Sequence, residues 1–126
     1  LGTSAHVTLL ARDGNVTAET RHSLRTLPRS ATHLLVSSGG NDALWDAFLL
    51  DAAVPDIRTA FDLVGERVER FAEEYRMFLR DLAETDLPRA VCTIYDRVPG
   101  IGRAERTALS IYNDVITKAA RDFGAS

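Results

Sequence analysis

A stripe of apolar residues at alternating spacings of four and three runs through Ile57, Phe61, Val64, Val68, Phe71, Tyr75, Phe78 and Leu82. No other feature of the chain restricts its fold as strongly. The spacing matches one face of an α-helix, and Glu66, Arg67, Glu69, Arg70, Glu73, Glu74, Arg76 and Arg80 fall elsewhere on it. It predicts a helix from Asp56 to Ala83, roughly 40 Å long at ~1.5 Å per residue. Such a stripe can dimerise as a coiled coil. Globular helices normally bury it against their own domain, and packing on the chain's own sheet is the expectation here. A strand of ~17–20 Å is only half that length. The helix therefore overhangs the sheet, bends near Gly65, or lends one end to the wall of a cleft.

Around this helix lie three short apolar, β-prone runs: His6–Ala11, Thr32–Ser38 and Ala90–Tyr95. The middle run holds Leu34-Leu35-Val36 without polar alternation, the pattern of a parallel strand covered on both faces. Helical segments separate the runs. Val16–Leu27 has Thr17 as a possible cap and Pro28 as its stop, and a short helix reaches about Leu50. Pro55 suits the first turn of the long helix. The last helix spans roughly Ala104–Phe123, with Gly124 as its C-terminal cap. This alternation predicts an α/β domain with a parallel sheet and helices on both faces. With 126 residues the chain is expected to be one domain with an unstapled core.

Candidate site residues gather at the strand ends, where open α/β sheets bind ligands. They are Gly14 after the first run, Ser37-Ser38-Gly39-Gly40-Asn41-Asp42 after the second, and Tyr95-Asp96 after the third. Glycines there permit sharp turns and close approach of a ligand to the backbone. Asn41 and Asp42 have two readings: a helix cap worth about 1 kcal/mol, or an Asn41 amide that donates to a developing oxyanion.

Two blocks carry a resemblance to a known family. Leu9-Leu10-Ala11-Arg12-Asp13-Gly14-Asn15-Val16-Thr17-Ala18 resembles the second block of the SGNH (GDSL-type) hydrolases, and Gly39-Gly40-Asn41-Asp42 matches the Gly-x-Asn-Asp of their third block. The resemblance implies a three-layer α/β/α, flavodoxin-like domain that hydrolyses an ester, thioester or acyl bond. It also implies catalytic roles for Gly14, through its backbone N–H, and for Asn41, through its side chain, as the two oxyanion donors. A small-molecule ester or acyl compound is the implied substrate, with no cofactor and no metal.

The family's Gly-Asp-Ser block, with the nucleophile, and its Asp-x-x-His block, with the base, are absent. Both belong to the ends of the domain, so the chain is expected to be a central portion, truncated at both ends. Ser37 and Ser38 lie near the site, but a serine needs a base within hydrogen-bond reach. His6, His22 and His33 are expected on the surface. The chain alone is therefore not expected to be a competent serine hydrolase.

Other classes are weaker. Val98-Pro99-Gly100-Ile101-Gly102-Arg103 looks like the hairpin of helix-hairpin-helix DNA-binding modules. Arg106 stands where that motif has a small residue, and a strand-like run precedes it in place of a helix. A net charge of −3 also argues against nucleic acid as a partner. A non-catalytic interaction domain with its apolar helix stripe exposed is the remaining alternative. The one cysteine, Cys92, excludes an internal disulfide and is expected to be an inert core residue. No apolar run approaches the ~18 residues of a membrane span. The start, Leu1–His6, lacks the features of a signal peptide, which favours the cytoplasm without fixing the compartment. Oligomeric state is open.

Overall fold

The computed structural model describes residues 4–126; Leu1–Thr3, part of the stretch read for a signal peptide, lie outside the described residues. Its elements in chain order are α1 (Thr17–Ser23), β1 (Leu34–Ser37), α2 (Gly40–Trp45), α3 (Ile57–Ala83), β2 (Arg89–Cys92) and α4 (Arg103–Asp122). Short 3-10 turns at Leu24–Thr26 and Ala47–Asp51 extend α1 and α2. Asp56 caps α3 by accepting the Thr59 N–H at 2.7 Å, so Pro55 lies just before the helix. Gly124, at φ +63°, ends α4 as expected.

The expected three-layer, flavodoxin-like architecture is not what forms. Among the described residues, β1 and β2 make a two-stranded parallel sheet, with Leu34 opposite Arg89 and Val36 opposite Val91. The rest of the regular structure is helical. The run His6–Ala11 has strand composition but pairs with no strand among the described residues, and Val7 and Leu9 stand in solvent. A strand is stable only with a partner edge and a covered face, and local propensity supplies neither.

Alternation along the strands explains the missing layer. Leu34, Val36 and Val91 share the face that joins the core with α3 and α4. Leu35, Ser37 and Cys92 point the other way and are exposed; Leu35 retains 77% of its surface. Helices therefore cover one face only. The same parity corrects the expectation for Cys92, which is an exposed thiol and not a core residue.

The core is the carboxyl-terminal half of α3 against α4 and β1: Phe71, Tyr75, Phe78, Leu79 and Leu82 with Tyr112, Ile116, Ala119 and Val36. Phe71 sits 5.3 Å from Tyr75 and 4.8 Å from Tyr112, ring centre to ring centre, in tilted aromatic pairs. The amino-terminal half of α3 overhangs this core, with Ile57 and Phe61 exposed. On its outer side α3 holds α1 through Arg21 Nε and Asp81 Oδ2 at 2.5 Å.

Two further contacts finish the sheet. The Asn113 side chain accepts the Ile94 N–H at 2.7 Å and donates to the Ile94 carbonyl at 3.0 Å, tying the chain after β2 to α4. Beyond Gly124 the chain turns back, and Ser126 exchanges backbone bonds with Val91 N–H and the Arg89 carbonyl.

Candidate functional site

The ends of β1 and β2 frame a cavity of about 300 Å³, lined by Ala11, Arg12, Asn15, Thr20, Ser37 to Asn41, Ile94 and Tyr95. The turn Arg12–Asn15 contributes its two end residues to the lining: Asn15 N–H donates to the Arg12 carbonyl, with Gly14 between them at φ +82°. A left-handed residue there is the reason for glycine. Gly14 is exposed and its N–H has no acceptor among the described residues.

Gly39 is the tighter constraint. It sits at φ +106° as the residue before α2, and a Cβ on it would meet Phe71 Cζ at 3.1 Å and Ile116 Cδ1 at 3.3 Å. The chain turns here against the core, where only a glycine fits. This fixes where α2 begins and where the next two side chains point.

Those two side chains depart from the capping reading. Neither Asn41 nor Asp42 caps α2; the cap position is Gly39, without a side-chain bond. Asn41 Nδ2 donates across the site to the Asn15 carbonyl at 2.8 Å. Asp42 Oδ2 accepts both the backbone N–H and the hydroxyl of Thr17, each at 2.9 Å. Together they clamp the start of α2 to the loop and first residue of α1. Thr17, expected as a cap, is the first residue of α1 and fully buried, while Glu19 accepts the Val16 N–H at 3.0 Å.

An amide nitrogen carries two protons, and the Asn15 carbonyl takes one of them. The bond orients the amide and leaves the second N–H beside the cavity. Ser38 Oγ lies 3.3 Å from the Thr17 hydroxyl and 3.4 Å from that of Thr20, in a neutral hydroxyl cluster. Among the described residues, the sole charged side chain lining the cavity is Arg12.

Burial raises the Asp42 carboxyl above its ordinary pKa; the two Thr17 donors oppose that shift and the nearby Asp46 charge adds to it. Under the site the Tyr75 hydroxyl is buried without a partner among the described residues, and burial, then the Asp42 charge, raises its pKa. Tyr112 behaves similarly, through burial and then the bond from its hydroxyl to Asp46 at 2.5 Å.

The expected residues thus meet in part. Asn41, Ser37, Ser38 and Tyr95 line one cavity; neither Gly14 nor Asp96 is among its lining residues, although Arg12 and Asn15 on either side of Gly14 are. No serine bonds a histidine among the described residues: His33 contacts its neighbour Thr32, and His6 and His22 are exposed elsewhere. Arg12, the Asn15 carbonyl and the Asp42–Thr17 pair were not singled out by the sequence reading. The Asn15 carbonyl and the Asp42–Thr17 pair depend on contacts across 26 and 25 residues, for which local spacing carries no signal.

Among the described residues no group of three or more ligating side chains could hold a metal, and no helix is long and apolar enough to cross a membrane. The Pro99–Gly102 hairpin is exposed and follows β2, not a helix. Comparison with models of known families, with curated proteins and with solved structures found no match to this chain.

Proposed function

We propose that the Gly14 turn and Asn41 form the oxyanion-binding half of an acyl-transfer site, of the kind that hydrolyses an ester, thioester or other acyl bond. The observation that carries the reading is the bond from Asn41 Nδ2 to the Asn15 carbonyl. It holds a neutral donor in place at the mouth of a polar cavity, one residue from the free N–H of Gly14. A tetrahedral intermediate places negative charge on the former carbonyl oxygen, and donors already aimed at that charge need no reorganisation. Arg12 adds attraction for the same charge at the rim.

Attack by a serine needs a base such as histidine within reach, and no serine–histidine pair occurs among the described residues. The chain in this reading supplies electrostatic stabilisation and substrate positioning, and turnover depends on groups outside it.

Intact-mass analysis after treatment with a fluorophosphonate separates the two halves of this reading. The chain is expected to stay unmodified. It is also expected to bind the hydrolysed phosphonate monoester anion, with affinity reduced about 10–100-fold in Asn41→Ala, the worth of one charge-assisted hydrogen bond. A stoichiometric adduct would mean that a serine is activated after all. Equal binding by the variant would remove Asn41 from the site.

A further inference from the structure

A second cavity, of about 480 Å³, lies along α1. It shares Ala11, Arg12 and Asn15 as lining with the cavity between the strand ends, so the two meet at these residues. Arg12 stands at the junction.

The rest of its lining falls into two walls. One is the extended run before the Gly14 turn, with Leu9 and Leu10. The other is α1 and the 3-10 turn that extends it, with Glu19, His22, Ser23 and Thr26. Positions 19, 22, 23 and 26 are i, i+3, i+4 and i+7, one face of a helix, and every residue of that face is polar.

The bonds already made along this face decide what it offers. The Ser23 hydroxyl donates to the Glu19 carbonyl at 3.3 Å, and the Thr26 hydroxyl to the Ser23 carbonyl at 2.8 Å. A hydroxyl has one proton and two lone pairs, so both remain as acceptors. Glu19 Oε2 takes the Val16 N–H, and Oε1 has no partner among the described residues. The face is therefore rich in acceptors. At the far end of the cleft Asn41 and Arg12 are donors.

Donors at one end suit an acyl oxygen, and acceptors along α1 suit a group that carries O–H or N–H. An alkyl chain would strip water from Glu19, Ser23 and Thr26 without replacing its hydrogen bonds, at a cost. Charge separates the two kinds of donor. Arg12 and Glu19 both line the second cavity, and neither is in an ion pair among the described residues. What an ammonium gains at Glu19 is offset at Arg12, whereas neutral hydroxyls are indifferent to both. Leu9 and Leu10 give the C–H groups of such a ligand an apolar surface.

We propose that the second cavity binds the alcohol portion of the ester, and that this portion is a polyol, a glycerol or sugar unit. The inference rests on the oxyanion reading of Asn41 and Gly14 and adds the substrate class to it.

Titration of the chain with three methylphosphonate monoesters, followed in ¹⁵N-¹H correlation spectra, tests the proposal. The three are the glyceryl ester, the propyl ester with the same carbon chain, and the aminoethyl ester as the cationic counterpart. The glyceryl ester is expected to bind about 10-fold more tightly than the other two, the worth of one or two neutral hydrogen bonds. It alone is expected to shift the backbone amides of Glu19, His22, Ser23 and Thr26. Thr26→Val is expected to lose most of that gain and to bind the propyl ester as before. Equal affinities for the glyceryl and propyl esters, or a glyceryl gain that survives Thr26→Val without shifts along α1, overturn the inference and leave the oxyanion reading in place. Tightest binding of the aminoethyl ester does the same, since the Glu19 charge would then select the ligand. Binding of none of the three overturns the oxyanion reading itself, and this inference with it.

Discussion

Asp42 offers a test of how the site is held together, because its two substitutions should act in opposite ways. In Asp42→Ala the Thr17 N–H and hydroxyl both lose an acceptor at 2.9 Å, and Thr17 is fully buried. The hydroxyl keeps Ser38 Oγ at 3.3 Å as a substitute; the backbone N–H has none among the described residues. One charge-assisted bond lost outright and a second weakened cost about 2–4 kcal/mol. For a domain of this size that lowers the melting temperature by roughly 10 °C. In Asp42→Asn the side-chain oxygen still accepts from Thr17, and the half-buried charge disappears.

The folded pKa of Asp42 lies above its ordinary value, chiefly through burial. Between those two values the folded state binds more protons than the unfolded one. The stabilisation from this group is complete below the ordinary carboxylate value and is lost as pH rises through the folded value. The stability of wild type minus that of Asp42→Asn should therefore fall as pH is raised across this window. Asp56, whose pKa is lowered by the Thr59 N–H, contributes with the opposite sign and cancels in the difference. Urea denaturation followed by circular dichroism at several pH values supplies the measurement. A difference that rises with pH, or an Asn variant as unstable as the Ala variant at neutral pH, would refute the reasoning.

Two further substitutions probe the core under the site. Tyr75→Phe removes a buried hydroxyl that has no partner among the described residues, and should stabilise the chain by about 1 kcal/mol, visible as a higher denaturation midpoint. A loss of stability would mean that the hydroxyl is bonded. Gly39→Ala combines a left-handed φ with a Cβ 3.1 Å from Phe71 Cζ, and should cost about 2–4 kcal/mol in the same assay. An unchanged midpoint would show that the turn is not packed as described.

The elements of this chain were legible where their signal is local. The period of Ile57–Leu82 marked α3 to within a residue, and the runs Thr32–Ser38 and Ala90–Tyr95 contained or overlapped β1 and β2. What spacing could not convey was how many strands join. Val7 and Leu9 have the composition of a strand, yet pairing depends on an edge that local sequence does not specify. One face of β1 shows Leu35 to water for the same reason: its apolar run was read as covered on both sides, and only one cover exists. The long helix was split likewise, since Phe61 and Phe71 share a stripe but only Phe71 has the sheet and α4 beneath it. At the site, the strand-end clustering of Asn41 and the serines was legible. That Asn41 is no cap was not, because the carbonyl that claims its amide lies 26 residues away.

The role proposed for the Asn41 amide and the Gly14 N–H is to receive an oxyanion together. Its most direct measurement is a ¹⁵N-¹H correlation spectrum of the full chain titrated with a phosphonate monoester. Saturable downfield shifts of the Asn41 side-chain amide and the Gly14 backbone amide are expected, with one common dissociation constant and loss of the Gly14 shift in Asn41→Ala. Shifts confined to Arg12 and its neighbours, with both of those amides unmoved, would reduce the cavity to a surface charge effect and contradict the account.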